Sequence, residues 1–258
     1  MEFTDDIGNT IILDQHPERI ISLVPSITAT LFDLSAGNLL VGRTKFCIHP
    51  EEQVKALPVV GGTKNIHLDK IVTLRPDLVL CNKEENTLDI FEEIRTAGIP
   101  VWVNETRNLE DNAKLILNLG LITGQTERAK AINNFIQEGF AGMRNKFQQQ
   151  SALYLIWKDP YMSVGKDTFI HDIMSRVGLV NCTGTHDRYP ALDTTLLRRL
   201  NPKLVLLSSE PYPFREKHID EIQALFPEAG VRLVQGEYFS WHGSMMADAV
   251  KYFRQLEL

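Results

Sequence analysis

Short runs rich in valine, isoleucine and leucine recur along the chain, separated by segments in which apolar residues repeat every three or four positions. Runs that are apolar at consecutive positions are typical of strands buried on both faces of a sheet. Their alternation with helical segments predicts an α/β fold with mainly parallel sheets covered by helices. The predicted strands are 20–24, 78–81, 101–103, 153–157, 204–207 and 231–234.

One segment, 126–148, keeps a helical spacing of apolar residues over a longer run than any other part of the chain. It contains no proline, and its apolar residues recur at steps of three and four. The pattern predicts one amphipathic helix of about 35 Å, long enough to connect two lobes. The apolar positions are Ala129, Ile132, Phe135, Ile136, Phe140, Met143 and Phe147.

An internal repeat flanks this segment. A short helix, a proline and a buried strand follow one another in 67–80, and the same order returns in 192–207, with Pro202 in the position of Pro76. A weaker repeat pairs 23–28 with 156–170, and each of its helices is expected to end at a glycine, Gly37 or Gly178. We therefore predict two similar α/β lobes, 1–122 and 150–258, joined by a backbone helix within 123–149.

Composition excludes several classes of protein. The 258 residues are 43% hydrophobic and 23% charged, which is typical of a globular chain. The net charge of −6 and the lack of any run of five like charges argue against a nucleic-acid partner. No stretch approaches the roughly 18 apolar residues of a membrane-spanning helix, and the acidic start is unlike a secretory signal.

Catalytic and metal-binding motifs are missing from the sequence. It contains no G-x-S-x-G, H-E-x-x-H, G-x-G-x-x-G or P-loop pattern, so we predict no enzymatic activity. Cys47, Cys81 and Cys182 are isolated, and we interpret them as small buried apolar residues. The seven histidines include no pair with metal-ligand spacing on one helix face, so no resident cofactor is expected.

Ligands of open α/β sheets bind beyond the carboxyl ends of the strands, so we expect the loops there to line a cleft shared by the two lobes. These loops combine aromatic rings with amide, hydroxyl and lysine groups, which favours a large flat ligand touched on its faces. Segments 45–50, 61–65, 82–84, 157–161, 209–212 and 238–242 supply the candidates. The predicted ligand-binding residues are Pro25, Ser26, Phe46, Gly62, Thr63, Lys83, Trp157, Tyr161, Tyr238 and Trp241. A metal or haem site using His49, His67 and His242, on the same side, is an open alternative.

The order and spacing of four stretches resemble those of a known protein family over nearly the whole chain. The stretches are 4–8, 19–28, 59–62 and 74–79. The chain resembles the class III, helical-backbone substrate-binding proteins of ABC importers, and within them the cobalamin-binding branch. The resemblance implies two lobes joined by a rigid helix, a ligand gripped between them, little closure and no catalysis.

The resemblance also implies a cargo and a partner. The expected cargo is a corrinoid such as cobalamin, with a ferric siderophore or haem as the alternative. Thr63, Asn82 and Met245 stand where cobalamin receptors carry two rings and an arginine. The expected partner is the membrane permease, docked by acidic residues of each lobe. Asp69 matches the first docking position, whereas Thr195 occupies the second and Asp193 is its substitute or only a helix cap.

Location and assembly are expectations of the same kind. The family is periplasmic or lipid-anchored outside the inner membrane, but this sequence carries no signal peptide, so a cytoplasmic carrier is the alternative. We expect a monomer. An enzyme subunit that reuses the fold is the less favoured reading, because it requires clustered cysteine ligands.

Overall fold

A computed structural model describes the backbone of residues 1–258 and every side chain except those of Thr194 and Arg198. The chain divides into two compact units. Unit 1 contains residues 1–106, 110–134 and 242–245, and unit 2 contains 107–109, 135–241 and 246–258. The division thus lies at 134/135, inside the predicted linking segment 123–149, and a short C-terminal stretch belongs with the N-terminal unit.

Unit 1 is built on a four-stranded parallel sheet in the order β4-β3-β5-β6. All five residues of its third strand are buried, as the apolar run predicts. An antiparallel hairpin, β1 Glu2–Thr4 with β2 Thr10–Ile12, precedes the sheet. The strands are β3 Ile20–Ser22, β4 Leu40–Arg43, β5 Leu78–Asn82 and β6 Val101–Asn104, and the helices are α1 Pro25–Asp33, α2 Glu51–Lys55, α3 Leu68–Leu74, α4 Leu88–Thr96 and α5 Leu109–Ile122.

Unit 2 contains a second four-stranded parallel sheet, in the order β10-β9-β7-β8. Its core joins the central strands to the helices that cover them, through residues such as Leu155, Val205 and Ile222. The strands are β7 Gln150–Leu155, β8 Leu179–Asn181, β9 Leu204–Ser208 and β10 Gly230–Val234. After α6, Thr126–Ala141, the helices are α7 Phe169–Arg176, α8 Thr194–Arg199, α9 Ile219–Leu225, α10 Glu237–Ser240 and α11 Met245–Gln255.

The two sheets confirm the predicted repeat. Each places its first strand between the second and the third, with the fourth at the far edge. The predicted helix, proline and strand are α3, Pro76 and β5 in unit 1, and α8, Pro202 and β9 in unit 2. All six predicted strands are present, with ends shifted by up to three residues. The two-lobed α/β class is therefore confirmed.

Of the two helix ends predicted at glycines, one is confirmed and the other is wrong. Val177 caps α7 and Gly178 follows it with φ of 83°, the left-handed conformation that a glycine adopts without a Cβ clash. After α1, however, Ser35 takes the left-handed position with φ of 60°, and Gly37 begins a separate 3₁₀ turn. The prediction for Gly37 is wrong because a serine already turns the chain two residues earlier.

The linking helix is shorter than predicted. Helix α6 covers Thr126–Ala141, 16 residues or about 24 Å, and residues 142–149 form successive turns. Gln148 and Gln149 adopt left-handed φ values, which no α-helix continues. Met143 and Phe147 are nevertheless buried. The apolar period therefore identified the buried positions correctly but overextended the helix.

The described part of the chain holds no helix long and apolar enough to cross a membrane.

Candidate functional site

Pro25 and Ser26 follow β3 at the carboxyl end of the unit 1 sheet. Pro25 is the first residue of α1, a position that needs no N–H donor. Both residues are buried, and a hydrogen bond of 3.0 Å joins the Ser26 hydroxyl to Nε2 of His242. The hydroxyl that we expected to contact a ligand is therefore engaged inside unit 1.

His242 belongs to a buried polar network. The amide of Gly243 donates to the side-chain oxygen of Asn112, and the amide of Ser244 donates to the Thr30 hydroxyl at 3.0 Å. Burial lowers the pKa of His242 to about 4, so its imidazole is neutral at pH 7. A serine paired with a histidine resembles a nucleophile and its base, but here both groups are buried, and the network holds residues 242–244 in unit 1.

A pocket of about 470 Å³ opens on unit 1. It brings together three predicted ligand-binding residues, Phe46, Gly62 and Thr63. The Phe46 ring is 49% exposed, and the Lys45 ammonium lies 5.0 Å from its centroid, a cation–π distance. No carboxylate is among the described residues that line the pocket, so its charge is positive. The lining residues are Lys45, Phe46, Val59, Gly61, Gly62, Thr63, Lys64, Asn65 and His67.

The loop that forms one wall of this pocket has a defined conformation. The amide of Gly62 donates to the carbonyl of Asn65 at 2.7 Å, and Asn86 donates from its side chain to the carbonyl of Thr63 at 2.8 Å. Gly61 has φ of 129°, and a Cβ built there would lie 2.5 Å from the Asn65 carbonyl oxygen. Only glycine fits this position, so the glycine pair fixes the turn.

Lys83 lies at the carboxyl end of β5 but does not line the pocket. Its ammonium forms an exposed ion pair of 3.0 Å with Glu105. Asn82, the residue before it, is buried, and its side-chain oxygen accepts from the amide of Glu84 at 2.8 Å. This loop is therefore organised by its own hydrogen bonds.

In unit 2, Trp157 follows β7 and is 41% exposed. Its ring meets that of Tyr212 edge to face, with 5.7 Å between centroids. Tyr212 also contacts Phe214 at 4.7 Å and His218 at 5.6 Å. An exposed indole is thus supported from behind by a cluster of rings, which restricts its orientation. Tyr212 lies in the candidate loop 209–212 but is not one of the predicted ligand-binding residues.

Tyr161 is half-buried, and its hydroxyl donates to the carboxylate of Glu221. Lys158 forms an ion pair of 2.5 Å with the other oxygen of that carboxylate. Hydrogen bonds from Lys158 and Tyr161 lower the pKa of Glu221, and the Glu221 carboxylate raises the pKa of Lys158. Both charges are therefore present at neutral pH, and the Tyr161 hydroxyl is fixed against α9.

Tyr238 and Trp241 lie on and just after α10. The Tyr238 ring stacks on Tyr252, with 4.6 Å between centroids and 30° between the ring planes. The indole nitrogen of Trp241 donates to Oε1 of Glu210 at 2.9 Å, and the Ser240 hydroxyl donates to the same oxygen at 2.9 Å. Both predicted residues are partly exposed, and each is held by a neighbour of unit 2.

The two predicted docking residues differ in their surroundings. Asp69 is exposed in the first turn of α3, where a carboxylate is favoured by the helix dipole. Asp193 is exposed at the N-cap of α8, and its Oδ1 accepts from the amide of Leu196 at 2.7 Å. The capping role considered for Asp193 is thus observed, whereas docking stays a prediction for both residues.

Two of the three cysteines predicted to be buried are fully buried. Cys47 and Cys81 are fully buried, and burial raises the pKa of both thiols, as expected for unreactive core residues. Cys182 is only partly buried, and burial raises its pKa to about 11. Among the described side chains, no group of three histidine, cysteine, aspartate or glutamate residues is placed to hold a metal ion.

The sequence is similar to those of known binding proteins. The profile of the periplasmic binding protein family matches residues 20–228. The ABC transporter substrate-binding lipoprotein YvrC of Bacillus subtilis (strain 168) is 25% identical over 213 residues, covering 78% of this chain and 67% of its own. The vitamin B12-binding protein of Pectobacterium carotovorum subsp. carotovorum (strain PC1) is 23% identical over 201 residues, covering 76% and 72%.

Two solved structures share the fold. The periplasmic vitamin B12-binding protein BtuF of Vibrio cholerae superposes with a TM-score of 0.78 at 20% identity, covering 92% of this chain and 95% of its own. The periplasmic haem-binding protein RhuT of Roseiflexus sp. RS-1 superposes with a TM-score of 0.77 at 19% identity, covering 92% and 97%. Similar backbones thus occur in proteins named for different cargoes.

Proposed function

Since the chain belongs to the periplasmic binding protein family, a family of non-enzymatic transport receptors, we propose that this ABC-transporter substrate-binding protein captures a corrinoid such as cobalamin. The observation that carries the proposal is the exposure of large rings at the carboxyl ends of strands. Phe46 is 49% exposed and Trp157 is 41% exposed, although such rings are usually buried. Rigid exposed rings suit a broad, flat macrocycle that they contact on its faces.

The unit 1 pocket supports the same cargo. Phe46 supplies an apolar surface, and the backbone of Gly61 and Gly62 permits close approach because neither residue carries a side chain. Lys45 and Lys64 add two cations, and no carboxylate lies among the described lining residues. Cobalamin combines an extended corrin with one phosphodiester, so an apolar surface beside cations matches its chemistry.

A haem or a ferric chelate is the second candidate. The positive pocket favours it too, because haem propionates and many iron chelates carry carboxylates that pair with Lys45 and Lys64. Haem-binding proteins also share this backbone. The two cargoes differ in the groups on their rim, carboxamides on cobalamin and carboxylates on haem.

The remaining ligand contacts proposed here are the partly exposed residues of unit 2, Trp157, Tyr161, Tyr238 and Trp241, together with Thr63 and Lys83 of unit 1. We also propose that Asp69 and Asp193 dock onto the permease as exposed carboxylates. We propose that the protein works outside the cytoplasmic membrane as a monomer and does not bind nucleic acid, in keeping with its family and its net charge of −6.

Calorimetric titration of the purified protein with cyanocobalamin tests the proposal, with haemin and a ferric siderophore as competing ligands. We expect cyanocobalamin to bind with micromolar or tighter affinity. Absence of binding at tens of micromolar, together with binding of haemin or the ferric chelate, would replace the corrinoid by the second candidate. The absorption spectrum of protein purified from its native source is an independent check, because the three cargoes absorb at different wavelengths.

A further inference from the structure

Glu210 stands at the carboxyl end of β9, two residues after the last strand position. Its Oε1 accepts two hydrogen bonds of 2.9 Å, from the Trp241 indole and from the Ser240 hydroxyl. The loop backbone is fixed as well, because the Ser208 hydroxyl donates to the Glu210 carbonyl at 2.6 Å and the Gly236 amide donates to the Ser209 hydroxyl at 2.9 Å. The carboxylate is therefore held in one orientation.

The other carboxylate oxygen of Glu210, Oε2, has different surroundings. Within the part of the chain whose side chains are described, no group donates to Oε2 of Glu210, and no cation forms an ion pair with it. Oε2 of Glu210 is not fully buried, so this oxygen reaches the surface. One oxygen is thus anchored and the other is presented outward beside Trp241.

This arrangement is unfavourable in the absence of a ligand. Burial raises the pKa of Glu210, and the nearby Glu237 raises it further. Half-buried carboxylates are normally compensated by a cation or by several donors, whereas the described side chains offer Glu210 two donors, both on one oxygen. A ligand that donates hydrogen bonds to Oε2 would supply the missing compensation.

Resting on the function proposed above, we infer that Oε2 of Glu210 accepts hydrogen bonds from the rim of the cargo and selects corrinoids whose side chains end in carboxamides over those ending in carboxylates. A carboxamide donates N–H to the carboxylate, whereas a carboxylate brings a like charge to a partly desolvated site. Glu210 thereby acts as a specificity-determining residue, and Trp241 and Ser240 act as positioning residues for it.

Dicyanocobinamide, whose rim carries carboxamides, and dicyanocobyrinic acid, whose rim carries carboxylates, are the matched probes. We expect the wild-type protein to bind dicyanocobinamide at least tenfold more tightly by calorimetry. In Glu210→Gln the amide oxygen can still accept from Trp241 and Ser240, which leaves an NH₂ donor facing outward. The NH₂ group donates to the carboxylates of dicyanocobyrinic acid, so this variant should bind that probe about tenfold more tightly than wild type and lose most of the preference for dicyanocobinamide.

Glu216→Gln makes the same chemical change at an exposed residue of the same segment, and it should preserve the wild-type preference. Circular dichroism establishes that each variant is folded. Should Glu210→Gln not fold, the wild-type protein decides: equal affinity for both probes overturns the inference. Wild type that binds cyanocobalamin but neither probe overturns the inference, and wild type that binds none of the three refutes the corrinoid proposal itself. A preference for dicyanocobinamide that Glu210→Gln leaves unchanged overturns only the role of Glu210.

Discussion

The hydroxyl oxygen of Ser26 lies 3.0 Å from Nε2 of His242, so two residues 216 positions apart share one buried hydrogen bond. Ser26 is in the first turn of α1, and His242 precedes α11. Threonine, asparagine and backbone groups complete the network around them. This contact places residues 242–245 in unit 1, although the chain on both sides of them belongs to unit 2.

The pH dependence of stability should report this contact. Because the pKa of His242 falls to about 4 in the folded protein and is about 6.5 in the unfolded chain, the unfolded state binds more protons between these values. Stability attributable to His242 is therefore complete above pH 6.5 and is lost as pH falls toward 4. From pH 6.5 to pH 5 the loss should be about 2 kcal/mol.

Urea unfolding of wild type and His242→Asn at both pH values measures this difference. The variant lacks the titrating ring, so its stability should fall less over the same interval. Other groups contribute equally to both proteins and cancel in the comparison. Identical pH slopes would show that the pKa of His242 is not depressed.

Trp157→Ala should weaken cargo binding by about 1–3 kcal/mol while the protein stays folded, because the ring is 41% exposed and meets Tyr212 in a T-shaped contact. Calorimetry and thermal unfolding measure the two effects. Phe135→Ala is the matched control, since Phe135 is also 41% exposed but lies on α6, outside the predicted site. Early melting with normal binding would make Trp157 a structural residue.

Tyr238→Ala should weaken binding similarly, with some loss of stability from the broken stack on Tyr252.

Gly61→Ala should destabilise the protein by about 3 kcal/mol, because φ of 129° is strained for alanine and the added Cβ would meet the Asn65 carbonyl. Gly98→Ala is the control: Gly98 also has positive φ, but its Cβ would meet nothing within 4 Å, so the cost should be about 1 kcal/mol. Chemical unfolding at pH 7 measures both. Equal losses in the two variants would mean that the turn at Gly61 is free to rearrange.

Asp69→Lys should leave the solution affinity for the cargo unchanged and impair its delivery to the permease. The substitution replaces an exposed carboxylate on α3 by an ammonium group, which basic groups on the permease would repel. Asp89→Lys makes the same change in the first turn of α4, also at an exposed position, and should leave delivery intact. Cargo uptake by host cells carrying each variant is the measurement. A loss of solution affinity in Asp69→Lys would contradict a docking role.

The local pattern of the chain predicted most strands of the two parallel sheets and missed one edge strand of each. The six predicted strands include both central strands of each sheet, whose runs of apolar residues are buried because both faces of the sheet are covered. β4 and β8 were missed because each is only three or four residues long and includes polar or exposed positions. The end of α6 was misplaced because the turns after it bury their apolar residues at helix-like spacing.

The candidate site divides in the same way. Phe46, Gly62 and Thr63, which line one pocket, follow the missed strand β4, whereas the other candidate loops were predictable because they follow strands that the sequence identifies. The orientation of each side chain was not. Ser26 is turned inward by His242, and Lys83 is paired with Glu105.

The sequence by itself determined the α/β class, the repeated helix, proline and strand, and the loops rich in aromatic residues, because these depend on spacing between near neighbours. Only the tertiary structure decided that residues 242–245 join unit 1, that Tyr212 supports Trp157, and that Glu210 anchors Trp241 through one oxygen and presents the other. The physical reason is that periodicity specifies which face of an element is buried. It does not specify which distant side chain supplies the hydrogen bond or the ring that meets that face.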